Sequence, residues 1–137
     1  MSQERVRILR EVYRAFNEGH IMRPEYVASD VEFVQPDGLA GGEGTYHGHA
    51  GVRRALAGMA ETFADLELVI EEFFDTENHV VAFVRLRGRA RASGVPIDAP
   101  VAHIVTFRGD LIARVAVTAD RDAALRSVGL AGGTPGL

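Results

Sequence analysis

His103 is the residue most able to do chemistry in this chain. It lies in Ala102-His103-Ile104-Val105-Thr106-Phe107. In an extended segment alternate residues face opposite sides, so His103 shares a face with Val101, Val105 and Phe107. A lone titratable group on an apolar face has two readings. It is a pocket acid or base, its pKa moved from about 6.5 by burial or a neighbour, or it is a core imidazole satisfied by one hydrogen bond. Gln35 follows Phe33 on one face of a shorter extended run. Its amide donates and accepts together, which suits orientation of a carbonyl or enol without proton transfer, and equally suits a polar strand end. Arg85 and Arg87 continue the face of Val81 and Phe83, while Ala82, Val84 and Leu86 make the other face apolar. If Phe83 faces a cavity, Arg85 reaches a ligand carbonyl or carboxylate with a forked donor geometry; otherwise it meets solvent.

Other chemistries are poorly supplied. With no cysteine there is no disulfide, thiolate nucleophile or thiolate metal site. His47 and His49 sit two apart with no evident third ligand, so no metal is expected. Neither a G-x-S-x-G elbow nor a P-loop or dinucleotide fingerprint is present, and no cofactor is implied. Fifteen Lys+Arg against nineteen Asp+Glu give a net charge of −4, which offers no basic field for nucleic acid or anionic lipid. No apolar run approaches the roughly 18 residues of a membrane span, and the charged opening MSQERVRILREVYRAF does not read as a signal peptide. A cytoplasmic protein is the expectation.

The elements that would position these residues are legible in outline. Val6, Leu9, Val12, Tyr13 and Phe16 recur at spacings of three and four, one buried helical face, ended at Asn17-Glu18-Gly19. Pro24 opens a second short helix, and residues 31–35 read as a strand stopped by Pro36-Asp37-Gly38. Residues 38–48 hold five glycines and read as a flexible surface loop, flanked by Tyr46, His47 and His49 as lid candidates. Helical spacing returns from His49 to Phe63 through Val52, Leu56 and Met59. Four strand-like runs follow at 67–74, 79–92, 97–108 and 111–119, joined by short turns as an antiparallel meander. Pro96 and Pro100 imply a bulge or an edge position in the third of them. Asp120-Arg121-Asp122 then opens a last helix as its cap. The whole is one α+β domain over 1–130 with a C-terminal tail 131–137, its N-terminal helices packed on the concave face of a curved antiparallel sheet.

This order, with VYRAFNEGH, DVEFVQPDG, YHGHAGVRRAL, APVAHIVTFRGDLIARV and ADRDAALRSVGL as its carriers, resembles the cone-shaped family of nuclear transport factor, ketosteroid isomerase and the SnoaL-like polyketide cyclases. The resemblance implies an apolar cavity between sheet and helices. Set on the isomerase pattern, Gln35 stands where the general-base aspartate would, His103 where the protonated aspartic donor would, and Val12 where the oxyanion tyrosine would. Glutamine has no useful basicity and valine no donor, so steroid isomerisation by that route is not expected. What the resemblance does imply is a cofactor-free binder of a small apolar or polyketide-like molecule, a cyclase or isomerase with His103 as acid or base, or a binding module without chemistry. The expected wall is Tyr13, Phe16, Phe33 and Phe83 with Gln35 and Arg85. Val105, Val115 and Val117 complete it in the isomerase register of the last strand, which is preferred because a two-residue turn at Gly109-Asp110 would give His103 the face of Ile112, Arg114 and Ala116 and aim Arg114 inward. A homodimer through the outer sheet face is expected, built on Ala82, Val84 and Leu86 with Ile104 and Thr106.

Overall fold

The computed structural model describes residues 3–19, 23–39 and 42–130. Helix α1 spans Gln3–Asn17, and a 3₁₀ turn at Pro24–Tyr26 leads into β1, Val27–Leu39. Strand β2, Gly42–His47, runs directly into α2, Gly48–Thr62, and then come β3, Phe63–Asp75, and β4, His79–Ala90. Strands β5, Pro96–Arg108, and β6, Leu111–Thr118, precede α3, Arg121–Ser127. The segment expected to be a loop is therefore largely strand. Its glycines hide it from a reading that looks for apolar residues, yet Tyr46 pairs with Phe33 and Gly44 with Gln35 across the ladder.

The strands form one six-stranded sheet in the order β2-β1-β6-β5-β4-β3. The last four make the expected antiparallel meander, which brings β6 back beside β1. That single pair runs parallel, so the sheet is mixed rather than wholly antiparallel. Pro96 and Pro100 disturb no register with β4, pairing with Arg89 and Arg85. β6 pairs with β5 only from Ala102 onward, so both prolines lie where their strand has no β6 neighbour. This is the edge position rather than the bulge.

The α1–α2 side of the sheet carries the main core, where Ile8, Leu9 and Tyr13 of α1 meet Val31, Val84, Val101 and Val105 of the strands. The opposite face has its own small core: Val81 and Ala102 are sealed by Ala124 and Leu125 of α3. Asp120 caps that helix by accepting the Ala123 amide at 2.9 Å. Both faces of β4 are thus buried around residues 80–84, which removes the polar alternation by which a strand's inner face is normally recognised. The consequence is an inversion of the β4 expectation. Ala82 and Val84 belong to the inner core, whereas Ile104 packs with Val81 on the outer side, so the apolar set expected to meet a second copy does not share one face.

Candidate ligand-binding site

A cavity of about 130 Å³ lies between the helices and the inner face of the sheet. Its roof is the apolar stripe of α1, with Leu9, Val12, Tyr13 and Phe16, together with Val52, Leu56 and Met59 of α2. β1 lends Val27, Val31, Phe33 and Gln35 at alternate, inward positions. The floor comes from the remaining strands, where His103 and Val105 face Val117 and Val115 across the β5–β6 ladder. A register shift between Thr106 and Phe107 lets Ile112 also turn inward, which reconciles the two alternatives for the last strand. Arg114 points away, to Glu32 at 3.4 Å.

Among the described residues three polar side chains interrupt this wall: Tyr13, Gln35 and His103. The Tyr13 hydroxyl lies 2.9 Å from Nδ1 of His103, their rings tilted at 44°. Among the described residues the hydroxyl has no other hydrogen-bond partner. With the hydroxyl donating to Nδ1, the imidazole carries its own proton on Nε2. Burial pushes the His103 pKa down to about 4 and pushes the Tyr13 phenol up, so both are neutral near pH 7. His103 retains a little accessible surface, and as a lining residue it turns that surface to the cavity. Gln35 is only 4% exposed and has no side-chain hydrogen bond among the described residues. Among those residues no lining side chain is formally charged at neutral pH.

Two of the expected wall residues lie elsewhere. Arg85 projects from the outer side, donating to Glu71 at 3.0 Å and Asp98 at 2.9 Å. Phe83 packs against Phe74, with the Arg121 guanidinium 4.7 Å from its ring centre. The reason is the inversion of β4: the charged end of the alternation faces water, and Leu86 takes the cavity position. Of the lid candidates, His49 donates from Nε2 to the Val27 carbonyl at 2.9 Å, Tyr46 lies beside Phe33 with ring centres 6.4 Å apart, and His47 is exposed. The α2 residues, with Leu68 and Leu86, join the wall without having been expected there. Their signal is the apolar face of α2, whose periodicity is plain in the sequence but whose target is not.

An α+β cone of this kind, helices closed over a sheet with an apolar hollow between, defines a class of small folds built around a cavity. Within it the chain belongs to the SnoaL-like domain family, whose model matches residues 9–115. No curated protein matches the chain. Among solved structures it is similar to an NTF2-like protein of unknown function from Burkholderia pseudomallei, at 25% identity and TM-score 0.78 over 94% of this chain and 99% of that one. It is also similar to TerC co-crystallised with polyporic acid, at 24% identity and TM-score 0.74 over 92% and 98% of the two chains. A protein of ketosteroid isomerase-like fold from Catenulispora acidiphila, in complex with trimethylamine, matches at 18% identity and TM-score 0.69 over 96% and 97%. The last two likenesses speak for the fold. No described helix is long and apolar enough to cross a membrane.

Proposed function

We propose that the chain binds an uncharged, mainly apolar small molecule in this cavity and holds one of its oxygens on Nε2–H of His103. The observation that carries the reading is the Tyr13–His103 hydrogen bond, which occupies Nδ1 of a ring that lines the hollow and leaves Nε2 for a ligand. An apolar wall supplies affinity at roughly 25 cal/mol per Å² of apolar surface removed from water. The few polar groups supply orientation. Charged ligands are disfavoured because a cavity without a counter-charge leaves their desolvation uncompensated.

The same contact favours a reaction on that ligand over passive storage. A neutral imidazole whose far nitrogen is fixed by a phenol can donate to a carbonyl as negative charge develops on its oxygen. Cofactor-free cyclisation of an already enolised polyketide-like substrate makes that demand: the enol carbon bonds to the carbonyl carbon, and the enol's hydroxyl proton ends on the oxygen that the carbonyl becomes. With a pKa near 4, His103 is better suited to donating a hydrogen bond than to abstracting a proton from carbon.

The test is a titration of phenols and aromatic ketones against the ¹⁵N-labelled protein, repeated with His103→Gln and His103→Ala. Ligand-induced shifts confined to cavity residues, weakened about tenfold in His103→Ala, support the reading. Absence of any cavity response, or equal binding by all three proteins, overturns it. Turnover of an aromatic diketone that vanishes in both variants would distinguish catalysis from binding alone.

A further inference from the structure

Gln35 is a second polar group on the same wall, and the strand register fixes its relation to His103. Val117 of β6 pairs with His103 of β5 on one side. On the other, Phe33 and Val34 of β1 pair with Val115 and Ala116, so one step further along Gln35 comes level with Val117. Gln35, Val117 and His103 therefore form one row across three adjacent strands, all three facing the cavity.

We infer that Gln35 and His103 form a two-point grip for an uncharged ring bearing oxygen functions on separated ring carbons, with Val117 beneath the ring. This deepens the function proposed above and rests on it. Two strand spacings put the two Cα atoms roughly 10 Å apart, with side chains standing off the sheet in the same direction. A hydrogen bond at each end takes about 3 Å along its own direction, and bonds that slant onto a ring lying above Val117 leave roughly 4–6 Å between the ligand's oxygens. Oxygens on non-adjacent carbons of a six-membered ring, about 5 Å apart, meet that span. Oxygens on adjacent carbons fall short of it. The cavity agrees in size: at about 130 Å³ it is near the roughly 150 Å³ of an apolar protein cavity that takes up benzene. Gln35 supplies the second contact because its side chain is 4% exposed, lines the hollow and lacks a partner among the described residues. Such a buried amide gains most from a ligand oxygen, and it serves a carbonyl by donating or a hydroxyl by accepting.

The experiment is calorimetric or NMR titration with benzene, phenol, catechol and hydroquinone under reducing conditions. The grip predicts that hydroquinone binds about fivefold to tenfold more tightly than phenol and that catechol gains little over phenol. In Gln35→Met hydroquinone loses its advantage over phenol measured on the same variant. Gln35→Leu repeats the comparison should the methionine variant fold poorly, and the wild-type ligand series needs no variant. If hydroquinone shows no advantage over catechol and phenol, or keeps it in the Gln35 variants, the two-point grip is wrong while binding on His103 stands. If neither benzene nor phenol binds at all, the functional reading and the grip fall together.

Discussion

The hydroxyl of Tyr13 and Nδ1 of His103 meet at 2.9 Å although ninety positions separate them in the chain. A helix and a strand on opposite walls of the cavity are joined at this point. With the hydroxyl as donor, ¹⁵N shifts of His103 will report the Nε2–H tautomer in the resting protein. Tyr13→Phe removes the donor and leaves a buried acceptor unpaired, costing about 1–3 kcal/mol. The diagnostic readout is the ring itself: in Tyr13→Phe the two ¹⁵N shifts move toward those of a mixed tautomer. An unchanged pattern would show that the phenol does not set the proton's place.

Acid should destabilise the fold through His103. Its folded pKa, lowered by burial to about 4, lies below the value near 6.5 of the unfolded chain. Between those values the unfolded state binds more protons, so stability rises with pH across that window and is lost as pH falls through it. The full effect is about 3 kcal/mol, at 1.36 kcal/mol per pKa unit. Urea melts at pH 4.5 and pH 7 check it, with His103→Gln as the control. The variant should lose less stability than the parent on acidification, and an equal loss would assign the acid sensitivity to other groups.

How far the sequence reveals this arrangement depends on whether one element or two are needed. The α1 stripe, the placement of His103 among Val101 and Val105, and the meander all follow from local periodicity, and each is found. Alternation misplaces Arg85 because β4 is apolar on both faces where α3 seals its back, so the pattern no longer says which side is in. β2 escapes notice because its glycines carry no pattern, only backbone pairing. The Tyr13–His103 contact is beyond reach, since each residue's own element fixes its face but not its partner. The corrected position of Arg85 is checkable. Arg85→Ala should leave ligand affinity unchanged and cost at most about 1 kcal/mol, as expected of half-exposed ion pairs to Glu71 and Asp98. A loss of affinity would return the arginine to the site.

Gly88 is required by the way β3 crosses β4. A register shift between Ala64 and Glu67, with Asp65 at φ 58°, brings the β3 backbone over this glycine. A Cβ there would stand 2.9 Å from the Ala64 carbonyl oxygen and 3.1 Å from a Leu66 methyl. The backbone oxygen cannot swing aside as a flexible side chain would. Gly88→Ala should therefore destabilise by about 1–3 kcal/mol in chemical denaturation. Gly58→Ala is the contrasting substitution, because nothing lies within 4 Å of a Cβ at that helical position and alanine is the better helix former. It should be neutral or stabilising by up to about 1 kcal/mol, and a loss similar to that of Gly88→Ala would discount the steric argument.

Asn17 closes α1 onto the edge of the sheet. Its Nδ2 donates to the Leu68 carbonyl at 3.0 Å and its Oδ1 accepts the Leu68 amide at 2.8 Å, so a side-chain amide stands in for a missing neighbour strand. Leu68 also lines the cavity, as do Tyr13 and Phe16 of the same helix, so this clip ties the roof to the wall. Asn17→Ala breaks both bonds, and because the site is exposed to water the cost should be only about 1 kcal/mol. The sharper consequence is kinetic. Exchange of the Leu68 amide should quicken, and ligand should leave faster as the end of α1 frays more often. Asn17→Asp separates the two contacts, since a carboxylate still accepts the Leu68 amide but no longer donates to its carbonyl. Its Leu68 exchange should lie between those of the parent and Asn17→Ala. Identical exchange in all three proteins would show that the helix is held by its apolar stripe alone.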